Sequence, residues 1–467
     1  MRINLPTQFY QMDAVQFSSQ RLVNQYLEAS DIPESRSPAK INTTAGTTEF
    51  VDVIEPIRGI KTVFGIMYVV AGTTFYSVST VGVKTTLGTV AGADYVDIIY
   101  GNTQIMVAAG SVGYVYTIAT GAFAQITDGD FPGASSAAYM DGSAIISKPL
   151  TGAAYVSDLN NFSSWDALNF TTEETSPDDL LAIREDRKEL WFFSQNTVVP
   201  YGRNPTFPFP YQRLSQAVLE VGCLAKGSIV TADNSFLWLG NRETEGGLAV
   251  WRADGYTPVR VSTHAIEQKI ESFGFAASDA IAFTYMLAGH IFYVLNFPSY
   301  GTFVLDLSTG LWHEWNRIGD VWSRWTHHTF FNNKHYVGGP DGIIAELSSG
   351  VFTDLGERIE RKIISPVSDA DGKPIRVSRL EFEVDAGRGL ATGQGSDPQM
   401  MFRYSKDAGR TWSNEKWRSI GKVGAYNARP LVRNLGRARE WVFEVTMTDP
   451  VPYTIIKAYA DATVGST

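Results

Sequence analysis

Residues 281–316 read IAFTYMLAGHIFYVLNFPSYGTFVLDLSTGLWHEWN. Four apolar runs, 281–287, 291–297, 302–307 and 311–315, are separated by three breaks, each containing glycine. Glycine supplies the backbone freedom of a tight turn, and the runs are filled with β-branched and aromatic residues. The spacing predicts a four-stranded antiparallel meander, the unit of a propeller blade. The fold then depends on whether the chain repeats it.

It does. An aromatic or apolar pair, a polar residue, a small turn and another apolar residue recur as FYSVSTVGV from Phe75, VYTIATGAF from Val115 and YVSDLNNFSSW from Tyr155. A degenerate copy, VVPYGRN, starts at Val198, followed by AVWRADGYTPV from Ala249, FVLDLSTGLW from Phe303 and IAELSSGVF from Ile344. Successive starts differ by 40, 40, 43, 51, 54 and 41 residues, close to the roughly 40–50 residues of one four-stranded blade. The two longest intervals carry visible insertions, 202–211 and 240–247. The expectation is an all-β chain with a propeller of about seven blades, six if a terminal copy is incomplete. A ring of blades must close. TTEFVDVIE (47–55) has the alternation needed to complete the last blade from the N-terminal side.

From Glu357 onward the blade period stops, and strictly alternating runs take over. These comprise Leu380, Phe382 and Val384; Trp441, Phe443, Val445 and Met447; and YTIIKAYA from Tyr453. Alternation of this kind argues strands with one buried face, and an antiparallel β-sandwich is expected. Residues 1–46 are polar and irregular, with RLVNQYLEAS (21–30) as a short helix and Pro33 and Pro38 as breakers. The expected organisation is an extended N-terminal arm (1–46), reaching to a neighbouring subunit in its functional reading, a β-propeller (47–356) and a C-terminal β-sandwich-like domain (357–467).

The 467 residues carry a net charge of -10. The balance is +4 from residue 357 onward and -14 before it. An acidic propeller repels nucleic acid rather than binding it without sequence preference. The single cysteine, Cys223, excludes an internal disulfide and any cysteine-based metal site and reads as a small buried hydrophobe. No run suits a signal peptide or a membrane-spanning helix. The reading is a chain folded in a reducing cytoplasm.

The sharpest local motif is Ser405-Lys406-Asp407-Ala408-Gly409-Arg410-Thr411-Trp412, which matches the Asp-box pattern S-x-D-x-G-x-T-W. Its physics is that of a hairpin turn. Asp407 accepts from turn N–H groups, Gly409 takes positive φ and Trp412 packs beneath, with Ser405 and Thr411 completing the motif. A sialidase would carry several copies and an arginine cluster, whereas one copy stands here. Glu173, Glu174, Asp178 and Asp179 lie in TTEETSPDD, read as an exposed loop and a candidate contact surface rather than a glycosidase pair. Arg429, Arg433, Arg437 and Arg439 form the one basic run, a candidate contact for an acidic partner or for the chain's own acidic propeller. The six histidines make no metal-ligand spacing. His290 and His313 read as turn or core residues, and the aromatics around His327 and His328, namely Trp322, Trp325, Phe330 and Phe331, as core and channel lining. No P-loop and no G-x-S-x-G elbow occurs. No catalytic, cofactor-binding or metal residue is nominated.

The stretch WDALNFTTEETSPDDLLAIREDRKELWFFSQNTVVPYG (165–202) resembles the packaged DNA stabilisation proteins, or tail accessory (hub) proteins, of short-tailed bacteriophages. The features that carry the resemblance are Ser176-Pro177-Asp178, the apolar strand 180–184 and the strand pair 190–201. VWRADGYTPVRVSTHAIEQKI (250–270), an outer strand followed by a short helix, adds to it. The resemblance implies a non-enzymatic virion protein without cofactors, assembled in the host cytoplasm. It would form a ring of about six copies below the portal and adaptor, retain packaged DNA and hold tail spikes and a needle. DNA would pass the channel without sequence-specific binding. The alternative reading is a carbohydrate-binding or glycan-cleaving propeller tail protein, motivated by the aromatics, the blade loops and the Asp-box.

Overall fold

The structure is a computed structural model that describes residues 2–465 except 33–34, 36, 175–177, 206–207, 215 and 242–245. Among the described residues seven four-stranded antiparallel units follow one another along the chain, five as separate sheets and two within larger ones, and make a seven-bladed propeller. The stretch 281–316 is blade six. Its strands are Ile281–Leu287, His290–Phe297, Gly301–Asp306 and Leu311–Glu314. Each of the seven motif copies found in the sequence starts on the third strand of its blade, from Thr74–Val78 in blade one to Ile343–Ser348 in blade seven.

Blade seven closes the ring. Its strands His327–Phe331, Lys334–Gly338 and Ile343–Ser348 are completed by Gly46–Asp52 from the other end of the propeller. That pairing is antiparallel, runs from Ile343 opposite Asp52 to Ser348 opposite Gly46, and holds one bulge after Ile344. Closure removes the exposed edge that an open stack would leave.

A separate apolar cluster fills each seam between neighbouring blades. Val51, Met67, Phe331 and Tyr336 join blades seven and one. Phe192, Tyr201 and Ile145 join three and four. Trp238, Phe193 and Trp251 join four and five. The burial is that of sheets packed face to face, in which alternate residues of each strand point into a neighbour. Between blades five and six the chain makes the helix His264–Glu271, capped by Thr263, with Ala265, Ile266 and Ile270 buried.

The C-terminal region is a sandwich. One sheet contains Ile375–Val384, Leu431–Ala438 and Ile455–Val464; the other contains Arg361–Ile364, Gln399–Ser405, Lys416–Ser419 and Val442–Met447. Leu380, Phe382, Phe402, Trp441, Phe443 and Met447 pack between them. Among the described residues no helix is long and apolar enough to cross a membrane.

The N-terminal segment differs from the expected arm. Gln25–Ala29 and Ala39–Thr43 pair with each other, and Ile41 pairs with Ile455 of the sandwich. Ser19–Val23 pairs antiparallel with Arg361–Ile364. RLVNQYLEAS is therefore two strands rather than a helix. Asn24 has φ +53° and reverses the facing of the chain between them, while Leu22, Val23 and Tyr26 are buried. Val23 also bridges to Glu314, so the second sandwich sheet continues into blade six.

Candidate functional site

The first strands of all seven blades surround a central cavity of about 850 Å³. Its polar wall is organised by Asp97, at the start of blade two. The carboxylate accepts from the Ser136 hydroxyl (2.7 Å), the Ala137 N–H (3.1 Å) and the Arg184 guanidinium (2.9 Å). Arg184 also donates to Ser136 Oγ at 2.7 Å. Burial opposes the Asp97 charge, but Arg184, Lys226 and these hydrogen bonds together hold its pKa below the usual carboxylate range. Lys61 lines the same cavity from blade one. The surrounding protein lowers its pKa, and Arg184 lowers it further.

Histidines line the opposite side. His327 is buried, stacks on Tyr95 with ring centroids 5.8 Å apart, and is pushed down to about 4 by burial. His328 is pushed down to about 3 by burial and by His335, whose Nδ1 lies 3.0 Å from His328 Nε2. His290 and His313 sit in blade six. His290 Nδ1 lies 2.7 Å from Asp306, which also accepts from the Ser308 N–H and the Thr309 hydroxyl of the following turn. His313 is buried in the seam and pushed down to about 3. Cys223 is buried, and burial pushes its thiol up to about 12. Among the described residues no three metal-capable side chains gather.

The junction between propeller and sandwich is polar and largely buried. Arg324 reaches Asp341 (3.1 Å), Asp354 (3.4 Å) and Glu357 (3.0 Å). Asp354 accepts from Thr47 Oγ1 at 2.5 Å and Trp325 Nε1 at 3.2 Å. Arg21 of the N-terminal segment clasps Glu314 of blade six with two hydrogen bonds of 2.8 and 2.6 Å. Asn24 Nδ2 donates to the Asn316 and Glu360 carbonyls, and its Oδ1 accepts from the Asn316 N–H. Arg361, fully buried, donates to the carbonyls of Asp449 and Phe352, each at 2.9 Å.

The Asp-box lies in the sandwich. Asp407 Oδ1 accepts from the Thr411 N–H at 2.8 Å, and Oδ2 accepts from the Thr411 hydroxyl. Ser405 Oγ accepts from the Gly409 N–H at 2.8 Å. Gly409 has φ +99° and Ala408 φ +58°. The Ser405 and Thr411 hydrogen bonds hold Asp407 down at about 2. Arg403 lies over the Trp412 ring at 5.5 Å. Every polar atom of Asp407 is thus turned inward on its own loop.

The candidate contact residues separate. Glu173 is not part of an exposed surface. It is 4% exposed and accepts from the hydroxyl of Tyr201, in blade four, at 2.6 Å. Asp178 is half-buried and accepts from the Asn196 N–H at 2.7 Å. Asp179 is half-buried and Glu174 exposed. Ser176 and Pro177 lie outside the described residues. Arg429, Arg433, Arg437 and Arg439 are all exposed. Arg429 pairs with Glu381 at 3.0 Å. Arg433 and Arg437 stand on the edge strand Leu431–Ala438, directly across from Arg379 and Arg376. Those two arginines escaped the sequence reading. Their spacing in IRVSRLEFEV was visible, but the register that places them opposite Arg433 and Arg437 was not.

The chain is similar at low identity to several solved structures. The WD40 domain of Neurospora crassa Pan2 is 9% identical, with 65% of this chain and 95% of that one covered and a TM-score of 0.45. The WD40 propeller of Doa1 is 10% identical, covering 66% and 97%, with a TM-score of 0.43. The extracellular domain of BT4673 from B. thetaiotaomicron is 12% identical, covering 88% and 59%, with a TM-score of 0.45. No curated protein matches by sequence. Two family models do match: the β-propeller of bacteriophage P22 Gp10 over residues 1–351, and its β-sandwich over residues 360–463. Matched along almost its whole length, in the order in which propeller and sandwich follow each other here, the chain belongs to the bacteriophage P22 Gp10 family of packaged-DNA stabilisation proteins, structural components of the phage tail.

Proposed function

We propose that this chain is the repeating unit of a tail hub: a ring of about six copies below the portal and adaptor. The hub retains packaged DNA, continues the tail channel, and anchors spikes and needle. The observation that carries this reading is the joining of a closed propeller to a sandwich through one continuous sheet and a buried polar junction. Such a unit transmits load without a hinge, which suits a part clamped between a filled head and a tail. The acidic propeller supports passage of DNA without adhesion. The Asp-box supports stability rather than sugar recognition, since its polar groups are spent within the turn.

The test is mass measurement in solution, with and without the portal–adaptor complex. Addition of about six copies to that complex is the expected result. A chain that stays monomeric and ignores the complex overturns the hub. Saturable binding on a glycan array, or turnover of a sialoside, favours a receptor-recognising protein instead.

A further inference from the structure

Charge on this molecule is concentrated in two places that face outward on different domains. The first is the outer face of the sandwich. Arg376 stands directly across from Arg437, and Arg379 across from Arg433. Like charges placed opposite each other on one face of a sheet repel, so the block weakens the free fold. Arg379 is offset by Glu381 and Asp461. Arg376, Arg433 and Arg437 have no ion pair among the described residues, and all are exposed. The strand that carries Arg433 and Arg437 is an open sheet edge.

The second place is blade three. Residues 89–180, which span blade two as well, contain 11 Asp and Glu against a single base, Lys148; the acids of blade three itself are the exposed Asp141, Asp158 and Asp166. The outermost strand of this blade, Asn161–Thr172, is 12 residues long and is also an open edge. Leu159, Leu168 and Phe170 are exposed along it. Asp158 and Asp166 flank these side chains, and both are exposed with no ion pair among the described residues. A long exposed edge strand with apolar side chains is a liability unless something covers it. An apolar patch rimmed by charge is the usual mark of a protein contact.

We propose that the outer strand of blade three of one copy, with Asp158 before it and Asp166 on it, docks on the arginine face of the sandwich of the next copy. Two different patches of one chain then meet head to tail, the arrangement that generates a closed ring. Charge complementarity selects this occupant. The arginine face is interrupted by Glu381 and Asp461, which disfavours a continuous polyanion such as DNA. A protein edge with spaced carboxylates fits between them. This inference rests on the ring reading and names the surfaces that make the ring.

The experiment uses two full-length variants, Arg433→Glu/Arg437→Glu and Asp158→Arg/Asp166→Arg, assembled on the portal–adaptor complex and weighed by mass photometry. All four positions are exposed, and circular dichroism with a thermal melt checks that each variant folds. Each variant alone places like charges across the contact and is expected to lose assembly at least tenfold in midpoint concentration. Mixed one to one, the acidic face of the first meets the basic strand of the second, and the basic face of the second meets the native acidic strand of the first. Assembly is then expected to return. Unchanged assembly of both variants overturns this contact while leaving the ring intact. Loss without recovery in the mixture means that the faces meet something other than each other, which also overturns it. A wild-type chain that never assembles removes the ring and this contact together.

Discussion

Asn24 is one residue on which two domains depend. Its positive φ turns one strand into the next, and its side chain makes three hydrogen bonds that reach blade six and residue 360. Asn24→Ala leaves two half-buried carbonyls and an N–H without their protein partner, at about 1–3 kcal/mol for each group left unsatisfied. We expect a loss of roughly 3 kcal/mol in urea unfolding. Asn24→Gly, which relieves the φ strain but also removes the bonds, should recover only about 1 kcal/mol of that. The histidines make a second prediction at this scale. His313, His327 and His328 are held neutral, with folded values of about 3, 4 and 3 against an ordinary value of 6.5. Between these limits the unfolded chain binds more protons than the folded one. Stability is therefore complete above about pH 6.5 and is lost progressively as pH falls towards 4. The melting temperature should drop between pH 7 and pH 5, and His327→Asn should flatten that drop. An equal drop in the variant would assign it elsewhere. In the sequence these histidines make no metal-ligand spacing. Their depressed basicity was not legible, because it comes from burial among residues of other blades.

At the scale of the element, backbone approaches backbone closely where blades four and five meet. A Cβ added to Gly222 would lie 1.7 Å from the Gln195 carbonyl oxygen, and one added to Gly240 would lie 1.9 Å from the Gly222 carbonyl oxygen. Backbone meets backbone there, so no side chain can move aside. Gly222→Ala is expected to cost about 3 kcal/mol or more and to lower the midpoint of urea unfolding. Gly310→Ala, with an open surround but φ +71°, should cost about 1–2 kcal/mol. The blades themselves were readable because each repeats a local pattern, and the recurring motif fell on the third strand seven times. The completing strand 46–52 was readable too, since its alternation had one vacant place to go. The strands before it were not. Ser19–Val23 and Gln25–Ala29 have apolar residues at spacings a helix also allows; Ser19–Val23 pairs with Arg361–Ile364, more than 300 residues away, and Gln25–Ala29 pairs with Ala39–Thr43, whose Ile41 meets Ile455. Glu173 was misplaced for a related reason. A loop rich in acids reads as solvated until the Tyr201 hydroxyl is seen beneath it.

For the whole molecule, the N-terminal strands make the sandwich dependent on both ends of the chain. Ser19–Val23 covers one side of Arg361–Ile364, and Ala39–Thr43 borders Ile455–Val464. A fragment of residues 357–467 alone should therefore be poorly packed, with weak near-ultraviolet dichroism from Trp441. The same fragment with residues 1–45 joined by a flexible linker should regain that signal. A well-folded isolated fragment would show that the N-terminal strands merely decorate the domain. The full chain is expected to unfold in one transition, because the shared sheet and the Arg324 network leave no clean plane of separation.

The strand that closes the ring also sets a clock. Gly46–Asp52 leaves the ribosome before every other strand of the propeller, yet its partner Ile343–Ser348 is made nearly 300 residues later. At roughly 5–20 residues per second the wait is about 15–60 s. Throughout that time six blades can form in order while the first strand hangs unmatched. The nascent chain is thus most exposed to mispairing with other nascent chains just before Ile343–Ser348 emerges, and slowing translation should lower its soluble yield rather than raise it.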